Sequence, residues 1–375
     1  MRGFDITGGL RLRGRTIKLA VRTLCVRVFA VRTLCVRGLA VCTLCVLGLA
    51  APAAAQGYDI EEQRVYPGSG EAVLRVISTA DLDVFEPFLL RFQEAHPEVG
   101  IDYITASSAE LNRAIRGGAV FDLALSSAMD LQFTLTNDGF AQSYRSAVTD
   151  SLPDWARWRD QLFAFTAEPA VIVVNRSAFD GLPPPRTRAE LVTLLRDNPE
   201  RFAGRLGTYD LRESGLGYLF ATQEARSSDA YWRLTEVMGR LDARLYCCSA
   251  QMIDDVASGE LALAYNVLGS YAEQRLGRED GLAIWVLEDF ANVMLRTVLI
   301  PATAVEVGAA GLMLDALLRE GLGEGAEPVL PPLQTRGEAD ASPFGPIRLG
   351  PALMVYLDRL NRESFLAAWD AAMEQ

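Results

Sequence analysis

AVLRVISTADLDVFEPFLLRFQEAHPEVGIDYIT, residues 72–105, is the stretch whose reading decides the fold. Residues 72–78 are mostly apolar and β-branched, the composition of a strand. From 82 to 96 the apolar residues recur at helical spacing (Val84, Phe88, Phe92, Ala95). Asp81 stands where an N-cap belongs, and Pro97 stops the run. Residues 100–105 then read as a second strand. Strand, helix and strand in immediate succession predict a parallel α/β unit.

The same alternation continues along the chain. A helix over 109–116, a strand over 121–126 and a helix over 129–137 follow, the last closed by Gly139. Residues 167–175 (AEPAVIVVN) are an apolar strand, and a Pro-rich link at 181–186 leads into a helix at 188–198. Strands are expected at 205–209, 261–265 and 291–300. Helices are expected at 216–225, 229–241, 250–257, 304–318, 351–361 and 362–373. About 300 ordered residues exceed one comfortable hydrophobic core, so two lobes are expected.

The N-terminal part reads as an address rather than a fold. Residues 41–55 (VCTLCVLGLAAPAAA) carry no charge, follow a basic stretch and end in Ala53-Ala54-Ala55. That pattern predicts a secretory signal peptide over 1–55, with Gln56 as the mature start. An uncleaved anchor is the competing reading, but the uncharged run is shorter than the roughly 20 residues that span a bilayer. A ten-residue repeat (AVRTLCVRVF, AVRTLCVRGL, AVCTLCVLGL) fills 20–49 and is too short and basic for a solenoid. Residues 56–71 are polar and are expected to form a flexible N-terminal arm.

Charge and composition remove several functions. The chain has 36 basic and 48 acidic residues, and nine of the bases but only Asp5 of the acids fall in 1–55. The remainder therefore carries a net charge of −20, which argues against a nucleic-acid partner. The single histidine, His96, leaves little for histidine catalysis or zinc chemistry. Of six cysteines, four lie in the leader, and Cys247 and Cys248 are adjacent. A disulfide between neighbours is geometrically demanding, so the pair is expected as two small residues leading into a helix.

In open α/β sheets ligands sit beyond the carboxyl ends of the strands. Those positions read Ser78-Thr79-Ala80-Asp81, Ser107-Ser108-Ala109-Glu110 and Ser126-Ser127-Ala128-Met129, then Glu213-Ser214-Gly215-Leu216-Gly217-Tyr218 and Asn266-Val267-Leu268-Gly269-Ser270-Tyr271. Each places hydroxyls and free amides at a helix start, where the dipole favours an anion. A plain N-cap is the alternative reading of each loop taken singly. Glu213-Ser-Gly-x-Gly-Tyr lacks the dinucleotide spacing, and no nucleophile elbow, P-loop or zinc helix motif is present.

Taken together, segments 76–103, 121–144, 167–175, 208–226 and 258–272 resemble the type II periplasmic substrate-binding proteins of ABC importers. The similarity lies with the ferric-iron and phosphoglycerate-transport branch. The resemblance implies an α/β fold of two lobes with the ligand cleft between them, joined by hinge strands. Residues 72–166 would form the first part of lobe one, 167–292 lobe two, and 293–375 the return to lobe one with the C-terminal helices. Ligand contacts would come from Ser78, Thr79, Ser107, Ser108, Ser126 and Ser127 in lobe one. Lobe two would supply Ser214, Gly215, Tyr218, Tyr265, Asn266 and Ser270. The implied role is a periplasmic monomer without cofactor that captures a small anionic solute, phosphorylated or carboxylated, and delivers it to a permease or sensor. Arg212 and Arg113 are candidates for added positive charge. Ferric-binding relatives use adjacent tyrosines, which this chain lacks; Tyr265, Tyr271 and Glu168 are the residues left for an iron alternative. An enzyme on the same scaffold is the alternative of another class.

Overall fold

A computed structural model describes residues 57–276, 281–324, 328–333 and 346–374. The leader over 1–55 and the mature start at Gln56 lie outside the described residues.

Among the described residues thirteen strands form two sheets. The first contains β1 (Glu62–Tyr66), β2 (Val73–Ser78), β3 (Gly100–Thr105), β4 (Leu123–Ser126), β5 (Arg157–Trp158), β6 (Leu162–Ala164) and β13 (Thr297–Leu299), in the order β1-β3-β2-β4-β13-β6-β5. The second contains β7 (Glu168–Asn175), β8 (Leu206–Tyr209), β9 (Arg244–Tyr246), β10 (Leu263–Leu268) and β11 (Leu282–Trp285), in the order β11-β7-β10-β8-β9, and β12 (Val293–Met294) pairs with β7. β2 runs parallel to β3 and β4, as the opening strand–helix–strand unit requires. Its helix, Leu82–Ala95, buries Val84, Phe85, Phe88, Leu89 and Phe92. Burying five such side chains stabilises the unit by roughly 1.5–3 kcal/mol each.

Residues 62–66 do not form the expected loose arm. They make β1, antiparallel to β3, with Glu62 opposite Thr105 and Tyr66 opposite Ile101. The pairing covers what would be an open edge of β3, a long-range gain that local polarity conceals. The strand expected over 291–300 is broken into β12 and β13 at Leu295 and Arg296. The helix expected over 351–361 is only a 3-10 turn at Pro351–Met354, and the final helix is Arg359–Met373.

The chain passes between the sheets at three places. Outward, β6 continues into β7; inward, β12 continues into β13. These two segments are hydrogen-bonded along their length: Glu168 pairs with Met294, Ala170 N–H donates to Asn292 O (2.7 Å), and Phe165 N–H donates to Arg296 O (3.0 Å). A third passage follows residue 346. Ile347 N–H donates to Val293 O (2.9 Å), Pro351–Met354 lies against the helix Met129–Asn137, and Arg359–Met373 packs on the helix Ala230–Arg240 beside the second sheet. That contact is close because Gly239 has no side chain; a Cβ there would lie 2.4 Å from Ala372 O. The last helix thus sits with the second sheet although the preceding strand returns to the first.

Where the two strands cross, an ion pair is fully enclosed. Arg296 Nε lies 3.0 Å from Glu168 Oε1, and both side chains have no exposed surface. Thr166 Oγ1 donates to the same carboxylate oxygen (2.8 Å), and Ser270 Oγ donates to the other. Such a pair costs desolvation and holds only when its remaining polar atoms are met; Arg296 Nη1 has no protein partner.

Candidate functional site

The carboxyl ends of the strands of both sheets face a cleft of about 540 Å³ including its mouth. Thr79, Asp81, Ser107, Ser108 and Ser127 line it from the first sheet, and Glu213, Ser214, Cys247, Cys248, Ser249 and Tyr271 from the second. Glu61 enters from the chain just before β1. Six helices begin at or beside this cleft: Leu82–Ala95, Ser108–Arg116, Met129–Asn137, Gly215–Ser227, Ser249–Ala257 and Gly269–Leu276. Their partial positive ends converge on one volume.

The two sides touch across it. Tyr271 Oη accepts from Asp81 N–H (3.0 Å). A Cβ on Gly215 would lie 2.5 Å from Ser108 Oγ, so Gly215 serves the close approach of the two helix starts rather than offering a donor side chain.

The hydroxyls divide into those used locally and those left to the cleft. Ser78 and Ser126 end their strands with side chains turned inward, where each accepts from the amide two residues on, Ala80 (3.0 Å) and Ala128 (3.1 Å). One residue later the side chain points the other way. Thr79 Oγ1 and Ser127 Oγ meet at 3.3 Å on the cleft wall, and Thr79 Oγ1 accepts from Ser127 N–H (3.0 Å). Ser107 and Ser214 line the cleft and also cap their own helices, accepting from Glu110 N–H (3.2 Å) and Gly217 N–H (3.1 Å). For these two, capping and lining are both realised.

Several expected residues are elsewhere. Tyr265 is buried within the second sheet's core, its hydroxyl accepting from Arg188 Nε (2.8 Å) and donating to Glu224 Oε1 (2.9 Å). Asn266 sits at φ 63° in a β10 bulge and borders a separate small cavity with Tyr265. Tyr218 donates to Tyr356 O (2.5 Å), and Ser270 is taken by Glu168. Neither Arg113 nor Arg212 reaches the cleft: the first pairs with Glu110, the second with Asp210 and Asp370. The three residues named for the iron alternative are not brought together. Glu168 is spent on Arg296 and Tyr265 on Arg188 and Glu224, so of the three only Tyr271 lines the cleft.

Glu61, Asp81, Tyr209, Glu213, Ser249 and the cysteine pair are among the lining residues that sequence reasoning passed over. Asp81 occupies the N-cap position, yet its side chain makes no capping bond and faces the cleft. Burial raises its pKa, the neighbouring Asp83 adds to the rise, and the guanidinium of Arg296 opposes it. Glu61 is raised by burial and then by Asp81. Cys247 and Cys248 are disulfide-bonded to each other, contrary to the expectation of two free small residues, with Cα atoms 3.8 Å apart. Adjacency in the sequence hides that bond, because only the local turn decides whether the sulfurs meet.

No protein-family model matches the chain, and no curated protein does. Solved structures do. A substrate-binding protein of an ABC transporter from Agrobacterium tumefaciens is 30% identical, with a TM-score of 0.78, over 84% of this chain and 99% of that one. The chain belongs to the substrate-binding proteins of ABC transporters, and its two sheets and cleft are the type II periplasmic binding fold. The fold is shared further with the periplasmic binding protein AfuA from Actinobacillus pleuropneumoniae, bound to fructose-6-phosphate (15% identity, TM-score 0.65, 81% of this chain and 99% of that one). Iron-bound HitA from Pseudomonas aeruginosa is similar at 12% identity and TM-score 0.60, over 80% and 99%. At these last two identities the likeness concerns architecture only.

Proposed function

We propose that the cleft captures a small organic anion, phosphorylated or carboxylated, in the periplasm and presents it to a membrane permease. The observation that carries this reading is the convergence of six helix starts with the hydroxyls of Thr79, Ser107, Ser108, Ser127 and Ser214 on one cleft. Each helix start favours an anion by about 0.3–1 kcal/mol, more where it is partly buried, and hydroxyls donate without a countercharge. Among the described residues lining the cleft there is no Arg or Lys, so binding rests on neutral donors. Glu61, Asp81 and Glu213, which also line the cleft, accept rather than donate when ionised. They suit a solute whose anionic end is joined to a body bearing hydroxyl or ammonium donors.

The two lobes would be residues before 167 with β13, and residues 167–292 with the C-terminal helix. Each supplies part of the contact set, so solute would hold them closed about the crossing segments. The protein would act as a monomer and reach the periplasm by a leader cleaved before Gln56.

Native mass spectrometry of protein purified from its own periplasm identifies the solute. Calorimetry with that solute on Ser127→Ala then tests the cleft. Ser127 Oγ lines the cleft and caps no helix, so its loss removes a donor to a charged acceptor worth about 1.5–3 kcal/mol, a fall in affinity of roughly tenfold or more. Unchanged affinity would remove the hydroxyl wall from the site.

A further inference from the structure

The cysteine pair stands at the one helix start in this cleft whose N-cap residue offers a bonded sulfur. Cys248 has the extended N-cap conformation (φ −137°, ψ 149°) for the helix Ser249–Ala257, and its side chain makes no capping hydrogen bond. Ser107 and Ser214, at the equivalent positions of neighbouring helices, fill this role with their own hydroxyls. Cys248 does not, because its Sγ is tied back to Cys247. Ser249 is also committed, its Oγ within 2.5 Å of Tyr209 Oη and accepting from Leu268 N–H (3.3 Å). The disulfide thus leaves the amides at Ala250 and Gln251 without a capping side chain, at a cleft that Cys247, Cys248 and Ser249 all line.

We propose that the Cys247–Cys248 bond is a redox-controlled modification site in the cleft: the disulfide keeps this helix start open to an anion, and reduction by a dithiol closes it. A dithiol transfers two electrons and two protons. Its two S–H bonds and the Cys247–Cys248 bond break, two cysteine S–H bonds form, and the reagent leaves as its cyclic disulfide. The freed Cys248 Sγ can then turn to accept from its own helix, as a serine would. A thiol at a helix N-terminus ionises more readily than free cysteine, so the proton passes to solvent and a negative charge occupies the anion's place. Cys247 and Cys248 are the only cysteines of residues 56–375, so within one processed chain reoxidation restores the same bond.

The idea rests on the anion reading above, and its test is built to separate the two. Hydrogen exchange at Ala250 and Gln251 is measured on the processed chain, oxidised and after dithiothreitol, with alkylation of the reduced thiols followed against pH. Reduction should slow exchange at one or both amides at least tenfold, with an alkylation midpoint below the about 8.5 of free cysteine. Exchange that is the same in both states would overturn the proposal. Inorganic phosphate serves as the binding probe, and its affinity at pH 8 should fall at least tenfold on reduction and return on reoxidation. The variant C247A/C248A should lose all response to the dithiol, whereas C247A/C248S should show the slowed exchange permanently. An oxidised chain that takes up no phosphate would count against the anion reading, while the exchange result still decides the redox proposal.

Discussion

Replacing Asp130 by Asn should stabilise the protein, and by more at high pH than at low. Asp130 is in the first turn of the helix Met129–Asn137 and is only 3% exposed. Its Oδ1 accepts from Leu131 N–H (2.9 Å), and it borders a pocket with Tyr218, Arg212, Glu213 and Arg362. Burial raises its pKa to about 7; the amides of Leu131 and Asp130 and the more distant Arg362 oppose the rise. The folded state therefore holds this proton more tightly than the unfolded chain, whose carboxyl titrates near the ordinary value of about 4. Stability is lost as pH rises above that value, and the full cost is reached above the folded pKa. Three units at 1.36 kcal/mol each put the cost at about 4 kcal/mol at pH 8, and the one unit between the unfolded value and pH 5 puts it at about 1.4 kcal/mol there. Asparagine keeps the acceptor for Leu131 and removes the charge. Urea unfolding of both proteins at the two pH values measures the gain, which should be about 2.6 kcal/mol larger at pH 8. A gain independent of pH, or a loss at pH 8, would refute the assignment of a buried, uncompensated carboxyl.

Arg296→Met should strand Glu168 as an enclosed charge and cost about 3–5 kcal/mol in the same assay, while Arg296→Met with Glu168→Gln should recover a large part of it. Gly239→Ala forces a methyl against Ala372 O and should cost about 1–3 kcal/mol by thermal unfolding, with protease cutting first near the displaced helix Arg359–Met373. N-terminal sequencing of the exported protein should begin at Gln56; retention of 41–55 would make the leader an anchor.

Local signals carried most of the fold. The β2–helix–β3 unit, β4, β7 and most of the helices fall where periodicity puts them, because their apolar faces match the burial they receive. β1 was not legible, since Glu62–Tyr66 is exposed at four of its five residues and owes its conformation to β3. In the site, the hydroxyl doublets marked loops that reach the cleft; both Ser107 and Ser108 line it, but only the second member of Ser78-Thr79 and of Ser126-Ser127 does. Strand parity turns Ser78 and Ser126 inward and leaves Thr79 and Ser127 outward, a distinction that needs the strand's last residue to be known. The family resemblance pointed to Tyr265 as a ligand contact, but its hydroxyl is held in the second sheet's core by Arg188 and Glu224, within the irregular stretch of β10 between Ala264 and Val267. Asp81 and Glu61 are far enough apart in sequence that only the β1–β3 pairing reveals two carboxylates in one cleft.

β13 lies between β4 and β6 in the middle of the first sheet, yet it is supplied by residues 297–299. A growing chain must hold β4 and β6 unjoined through the synthesis of the whole second sheet. Closing that gap brings Thr297 to Ser126 across some 170 residues of sequence, the kind of contact that slows folding. Until it closes, the edges of β4 and β6 are bare and able to pair with another chain. Fragments ending anywhere from 176 to 296 would carry both edges without the strand that joins them, so their expected fate is aggregation rather than a half-sized binding protein.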